Sequence, residues 1–314
     1  MVKLSVTFLG TSSAAPTKDR ALPSLAIQRE GEVLLMDAGE GIQRQVLAKG
    51  IGLNRDLSII ITHLHGDHVS GLLGLLQTMG LAQRRRPVSV VGPPDLLKWL
   101  KVTSELLHVG LTYPIEFHPA KAGLVLRTKS FRVRATRADH SVEAYSYLVE
   151  ETPRSGRFHP EKAKKLGIPE GRLWSRLQHG KSILVDGKKV LPSRVTDPPR
   201  PGRRVGYSGD TRPARRLVRF FAGCDLLIFD STFRGSDLDK AKQRKHSTCV
   251  EAAELAKRAG ARRLALTHFS ARYEDVTPLV TEARRVFPRT FAAADGMMVG
   301  VDYPGEGPES QSIK

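Results

Sequence analysis

Before residue 150 the chain alternates short apolar runs with stretches of helical period. Leu4–Leu9, Leu25–Arg29, Val33–Asp37, Leu57–Ile61 and Val88–Val91 are compact, rich in β-branched residues and bounded by polar or turn residues, which predicts strands. Gly41–Lys49 and Gly71–Gln83 read as helices, the second amphipathic through Leu72, Leu75, Leu76 and Met79. Phe131–Ala135 and Ala144–Val149 predict two more strands. The pattern resumes at Arg204–Gly206, continues in a buried strand Leu226–Phe229, and passes through a helix Ser247–Ala259 to a strand Arg263–Leu266. Two halves of mixed sheet and helix predict an α/β fold of the layered αββα type, with residues 1–314 forming a single domain.

Between the halves, residues 152–204 show no convincing core pattern and read as an inserted flexible arm. Charge makes that stretch informative. The whole chain holds 50 Lys and Arg against 32 Asp and Glu, a net of +18. The window 152–204 holds 14 basic and 4 acidic residues, a net of +10, with seven of the chain's 19 prolines. Charge this concentrated suits a polyanionic partner. Residues 305–314 read as a polar tail. No stretch approaches the roughly 18–20 apolar residues of a membrane span, so no membrane partner is expected. The first ten residues read as a strand rather than a leader, and Cys224 and Cys249 make neither a disulfide framework nor a Cys-based zinc site. A cytoplasmic location is expected.

Chemistry concentrates at Thr62-His-Leu-His-Gly-Asp-His68, which packs three imidazoles and a carboxylate into six positions. The run Asp56-Leu-Ser-Ile-Ile-Ile-Thr62 before it reads as a buried strand, so the cluster stands at a strand's exposed end, with Gly66 permitting a tight turn. His nitrogen and Asp oxygen are the usual ligands of zinc and similar divalent ions in hydrolases. Three later segments repeat the design of an apolar strand ending in a ligand-type residue: Asp139-His140, Gly209-Asp210-Thr211 and Thr267-His268.

In that order these residues resemble the ligand set of the metallo-β-lactamase superfamily, as do Phe8-Leu-Gly-Thr-Ser12 and Leu35-Met-Asp-Ala-Gly-Glu40 its opening strands. Within it, Phe229-Asp-Ser-Thr-Phe233, His246-Ser-Thr248 and Thr267-His-Phe-Ser-Ala-Arg-Tyr273 resemble the tRNase Z branch of tRNA 3′-processing endoribonucleases, from Leu4 to about Gly300. The resemblance implies the four-layer metallo-β-lactamase sandwich and two divalent metal ions, zinc foremost, with manganese or another divalent ion as alternatives. His63, His65 and His140 would hold one ion and Asp67, His68 and His268 the other, with Asp210 bridging. Asp37 would brace the ligand loop from behind. A hydroxide bridging the ions would cut precursor tRNA after the discriminator nucleotide, leaving a tRNA 3′-hydroxyl and a 5′-phosphorylated trailer. Asp67 would accept the proton and His246 would protonate the leaving 3′-oxygen, supported by Asp230. The branch's usual His-Glu-Ala-Thr stands here as Phe229-Asp-Ser-Thr232, so Asp230 must reach His246 with one methylene less.

The resemblance also assigns the inserted arm to the tRNA elbow and implies a homodimer in which one subunit's arm presents tRNA to the other's site. Arg154, Arg157, Lys162, Lys164, Lys165, Arg172, Arg176, Lys181, Lys188 and Lys189 would track phosphates. Gly167-Ile-Pro-Glu-Gly-Arg-Leu173 resembles the branch's Gly/Pro-rich arm segment, with Glu170 and Arg172 where proline is usual. Two other readings stay open. A small-substrate hydrolase (lactonase, thioesterase, arylsulfatase-like or phosphodiesterase) accounts for the ligands but not for the arm or the His246 loop. A catalytically inert tRNA-binding protein would have no need of all seven ligands.

Overall fold

Two seven-stranded sheets face each other in the larger of two compact units, which holds the chain up to Glu150 and from Arg203 onward. The computed structural model describes residues 3–303, so the tail expected at 305–314 lies outside the described residues. The first sheet runs in spatial order Met298–Gly300, Leu4–Gly10, Ser24–Arg29, Glu32–Met36, Asp56–Ile60, Val88–Gly92, Ile115–Pro119. The second runs Thr290–Ala292, Leu264–Thr267, Leu226–Asp230, Arg204–Tyr207, Tyr145–Glu151, Phe131–Arg137, Gly123–Arg127.

Alternation along the strands builds the layers. Leu34 and Met36 join Leu4, Val6 and Phe8 in a core shared with Val133, Tyr147, Val205 and Ile228 of the opposite sheet. Val33 and Leu35 face the other way, onto Ile42, Val46, Leu72, Leu75, Leu76 and Met79 of two helices, Ile42–Ala48 and Leu72–Leu81. Leu227, Phe229, Leu264 and Leu266 likewise pack on the helices Arg215–Phe220, Cys249–Ala259 and Thr277–Val286. The order helix, sheet, sheet, helix is the αββα sandwich. Strands buried on both faces need continuous apolar runs, and Val33-Leu-Leu-Met36 and Leu226-Leu-Ile-Phe229 supply them.

Each sheet has a parallel block: Glu32–Met36 through Ile115–Pro119 in the first, Arg204–Tyr207 through Thr290–Ala292 in the second. Crevices beyond the carboxyl ends of parallel strands are where such folds place sites. Asp37, His63, Asp210 and His268 all follow strands of these blocks, and Asp230 ends one. Helices Asp95–Leu106 and Thr277–Val286 carry no expectation from the pattern, although Leu96 and Leu100, and Leu279 and Ala283, give each a buried face at helical spacing.

The smaller unit, Glu151–Gly202, corrects the expectation of a stretch without a core. Two short helices, Pro160–Lys165 and Arg172–Gln178, and the hairpin Ile183–Val185/Lys188–Val190 enclose Ala163, Ile168, Leu177, Ile183 and Val195. Trp174 adds a hydrogen bond from Nε1 to the Ile168 carbonyl at 2.9 Å. Elements of three to seven residues are too short to display a period, which hides them from pattern reading. Asp186 and Gly187 both have positive φ, 49° and 75°, as a two-residue Asp-Gly hairpin turn requires. Among the described residues no helix is long and apolar enough to cross a membrane.

Candidate metal centre and proton donor

The strand Asp56–Ile60 delivers Thr62, His63 and His65 to its carboxyl end, and the single turn Gly66–Val69 swings Asp67 and His68 back beside them. The loop after Arg204–Tyr207 brings Asp210 in from the other sheet. Gly209 makes that approach possible: its φ is +56°, and a Cβ there would stand 2.8 Å from Thr62 Cγ2. His140 arrives from the loop after Phe131–Arg137, and His268 follows Leu264–Thr267 with φ of 64°.

Eight side-chain atoms converge in two sets. In the first, His65 Nδ1 lies 3.0 Å from His63 Nε2 and 3.1 Å from His140 Nε2. Asp210 Oδ2 completes it, 3.5 Å from His63 Nε2 and 3.9 Å from His140 Nε2. In the second, His68 Nε2 and His268 Nε2 are 3.2 Å apart, and Asp210 Oδ1 lies 3.3 Å from both. Asp67 Oδ2 stands 3.7 Å from His68 Nε2 and 3.5 Å from His268 Nε2. Tetrahedral ligands on bonds of about 2.0–2.1 Å would be separated by roughly 3.3 Å. The donor chemistry and spacing therefore fit two divalent ions sharing Asp210.

The outer nitrogens fix which atoms face inward. His63 Nδ1 is 2.9 Å from Thr62 Oγ1, His68 Nδ1 is 2.8 Å from Asp37 Oδ2, and His140 Nδ1 is 3.0 Å from the Lys245 carbonyl. His268 Nδ1 is 2.9 Å from Thr232 Oγ1. The two threonine hydroxyls themselves donate to Asp37 and Asp230, so each can accept from the imidazole. All four rings thus carry their proton on Nδ1 and turn the Nε2 lone pair to the centre. Asp37 is fully buried and left-handed, φ 57°. It accepts from the Thr62 amide at 2.7 Å, from Thr62 Oγ1 at 3.0 Å and from Tyr207 Oη at 2.8 Å.

Burial, then neighbouring His68, holds His63 well below the usual imidazole range, and burial also lowers His65 and His140, so these rings are neutral as ligands must be. His68 runs the other way: against its burial, Asp210 and then Asp37 raise it well above that range, so this ring gives up a proton when it ligates. Burial opposes ionisation of Asp67, but the adjoining His268 and His68 imidazoles outweigh it and keep the carboxyl low.

His246 stands apart from both sets, its ring between those of His140 and His268, with centroids at 5.1 and 5.2 Å. Backbone pairing puts it there: Phe233 N–H donates to Ser247 O and Cys249 N–H to Phe233 O, tying its loop to the end of the strand Leu226–Asp230. Asp230 Oδ2 meets His246 Nδ1 at 3.0 Å, so the shorter side chain does reach. Burial works against charge on His246, yet Asp230 and then Asp210 outweigh it and raise the imidazole to about 9. Asp230 and His246 lie close enough to Asp210 and His268 to form a third ligand group. The Asp230 oxygens, however, are already taken by Thr232 N–H and Oγ1–H, Thr211 N–H and Ser247 N–H as well as His246.

Pattern reading missed Thr62, Tyr207, Thr232 and the Lys245 carbonyl as supports. A hydroxyl at the end of an otherwise apolar strand is the signal for the first three; a carbonyl has none. Of the ten arm cations, Arg157, Lys162, Lys164, Lys165, Arg172, Arg176, Lys181, Lys188 and Lys189 are exposed on the smaller unit. Arg154 is half-buried, its backbone paired with Arg200.

Comparison with known proteins bears on the same centre. A profile for the anti-Pycsar protein Apyc1 matches residues 4–150, and one for the β-lactamase superfamily domain matches residues 176–269. The chain is 44% identical over 292 residues to ribonuclease Z of Nitrosopumilus maritimus, covering 93% of this chain and 98% of that one. It is 41% identical over 302 residues to ribonuclease Z of Myxococcus xanthus, covering 95% and 98%. Among solved structures, human tRNase Z, short form, superposes with a TM-score of 0.71 at 28% identity, covering 95% of this chain and all of that one. The sandwich is the metallo-β-lactamase fold, and its His/Asp clusters form a divalent-metal site of that fold.

Proposed function

The chain belongs to the ribonuclease Z family, and from that premise we infer that it is the endoribonuclease that removes the 3′ trailer from precursor tRNA, cutting after the discriminator nucleotide. The observation that carries the site assignment is the bridging posture of Asp210, with Oδ2 in one set of imidazoles and Oδ1 in the other. On this reading His63, His65 and His140 would hold one divalent ion and Asp67, His68 and His268 a second, with Asp210 contributing to both. Zinc is the ion of first choice, and manganese suits the same donors. Such ions would bring the pKa of water down toward about 7 and offset charge developing on the phosphodiester.

The side chains then divide the proton work. Asp67, held ionised, takes the proton of the attacking water. His246 gives its Nε2 proton to the ribose 3′-oxygen as the bond from that oxygen to phosphorus breaks, and Asp230 keeps the ring in place through Nδ1. The products are a tRNA 3′-hydroxyl and a trailer with a 5′-phosphate. The nine exposed cations named above suit the sugar–phosphate backbone of the tRNA elbow, where shape and charge are read rather than sequence. We place that contact across a homodimer, one subunit's arm serving the other's centre, and the reaction in the cytoplasm.

The test is cleavage of a 3′-extended precursor tRNA by wild type and His65→Ala, with and without added zinc or manganese. The expected result is one metal-dependent cut after the discriminator, lost in the variant. An intact precursor beside turnover of a simple phosphodiester would move the centre to a small-substrate hydrolase.

A further inference from the structure

Arg212 follows the bridging Asp210 by two residues, yet its side chain turns away from the two ligand sets. One guanidinium nitrogen donates to the backbone carbonyl of His246 at 2.6 Å and to Glu251 Oε2 at 2.9 Å, and the other pairs with Glu251 Oε1. The fork is largely shielded, with 13% of the Arg212 side chain and 17% of that of Glu251 exposed. Glu251 in turn closes the capping box at Thr248, where the helix Cys249–Ala259 begins. The Arg212 backbone is anchored as well, its N–H donating to the Asp139 carbonyl at 2.9 Å, one residue before His140. The same peptide is held from its other side, since Ser247 Oγ donates to the Thr211 carbonyl at 2.6 Å.

Lys245 closes the helix Leu238–Arg244 in the left-handed conformation, φ 60°, and His246 N–H donates to the Ala241 carbonyl at 2.9 Å, so that helix holds the amide of His246 while Arg212 holds its carbonyl. With Asp230 holding Nδ1 and Arg212 holding the carbonyl, His246 is fixed at both ends of the residue, and its ring has one place left to occupy. An arginine fork sets a plane as well as a distance, which lysine does not.

We propose that Arg212 is a positioning residue for His246, locking the backbone of the proton donor to the loop that carries Asp210 and to the cap of the following helix. The proposal rests on the reading of His246 as proton donor. Its signature is a dependence on the leaving group. Loss of a ribose 3′-oxygen needs a proton, whereas loss of p-nitrophenolate does not, so turnover of precursor tRNA and of bis(p-nitrophenyl) phosphate separates positioning of His246 from general damage.

Arg212→Ala should lower the ratio of precursor-tRNA to aryl-diester turnover about tenfold to a hundredfold, the scale of an ångström-sized misplacement. The KM for precursor tRNA should stay within about twofold, because no binding group is lost. Arg212→Lys should fall between wild type and Arg212→Ala. Adding Arg212→Ala to His246→Ala should cost nothing further in that ratio, as residues acting through one group are not additive. Thermal unfolding of each variant reports whether it folds. Equal loss on both substrates, or a further drop in the double variant, would overturn the role of Arg212. An unchanged ratio in His246→Ala would instead remove the proton-donor reading and the proposal with it.

Discussion

Asp37 offers the sharpest test of how the centre is held, because its two oxygens do different work. Oδ1 accepts from Thr62 N–H and from Thr62 Oγ1, which lies 3.0 Å from either oxygen, while Oδ2 accepts from His68 Nδ1 and Tyr207 Oη. Asp37→Asn can keep the first pair, and asparagine tolerates the left-handed backbone at this position. It cannot keep the second pair as it stands. The tyrosine hydroxyl can rotate and accept from the new amide, but His68 must give up its Nδ1 proton. That moves the proton to Nε2, the atom that faces His268 and Asp210. Metal affinity should therefore fall about 10- to 100-fold, the usual cost of losing a ligand's orienting partner, while stability falls by only about 1–2 kcal/mol. Asp37→Ala strips all four buried donors and adds backbone strain; with water satisfying some of them, about 3–5 kcal/mol is expected. Tyr207→Phe removes one donor, for about 1 kcal/mol, and should leave metal affinity within about threefold of wild type. Competition against a chromophoric chelator gives the affinity, and urea unfolding of the metal-free protein gives the stability. An Asn variant that binds zinc as tightly as wild type would refute the tautomer argument.

Joining residue 154 to residue 200 through a two-residue Asn-Gly turn, where their backbones already pair in both directions at 2.9 Å, removes the smaller unit's core without stretching the chain. That deletion should abolish tight binding of precursor tRNA in a filter or fluorescence assay and spare turnover of bis(p-nitrophenyl) phosphate; parallel loss would contradict a division between grip and chemistry. If about half of the ten exposed cations it removes meet phosphates, the slope of log affinity against log salt should flatten by roughly 3–4 in the deletion variant. Glu282 supplies a pH test away from the centre. Burial works to raise its carboxyl, but the Gly235 amide and Arg234 overcome it and hold it below 4.5. A depressed carboxylate adds stability that is present above 4.5 and lost as pH falls through its lowered value. Glu282→Gln should accordingly flatten the acid limb of a stability–pH curve, and an unchanged limb would show that the pair contributes nothing.

Ligands and their supports differ in how readable they are. His63, His65, Asp67 and His68 crowd into six positions, and Asp210 and His268 repeat one arrangement, a short-reach ligand just past an apolar strand. Chemistry of that kind is local, so spacing reveals it. The supports are not local. Tyr207 reaches Asp37 across 170 positions, and Thr232 reaches His268 across 36. A hydroxyl at a strand end does not name its partner: the facing of two sheets brings Tyr207 to Asp37, and the pairing of two neighbouring parallel strands brings Thr232 to His268. The smaller unit was opaque for another reason: its core is spread over pieces too brief to show a period, leaving its charge as the only visible property.

The exchange of the branch's glutamate for Asp230 joins these two cases. Read along the chain, it subtracts a methylene from the contact with His246, the proposed proton donor. In the folded protein the contact is nonetheless 3.0 Å, because reach depends on where the backbones lie as well as on side-chain length. The Phe233–Ser247 and Cys249–Phe233 hydrogen bonds draw the His246 loop against the strand end that bears Asp230. Four further donors, on Thr211, Thr232 and Ser247, hold the shorter carboxylate in the orientation that faces the ring. A restored glutamate would therefore have no room gained by its extra methylene, since those donors already close around a shorter group. Asp230→Glu should displace His246 rather than strengthen its support, and should lower the precursor-tRNA to aryl-diester ratio as Arg212→Ala does. A glutamate variant that cleaves precursor tRNA faster than wild type would mean that side-chain length, and not the paired backbones, limits the contact.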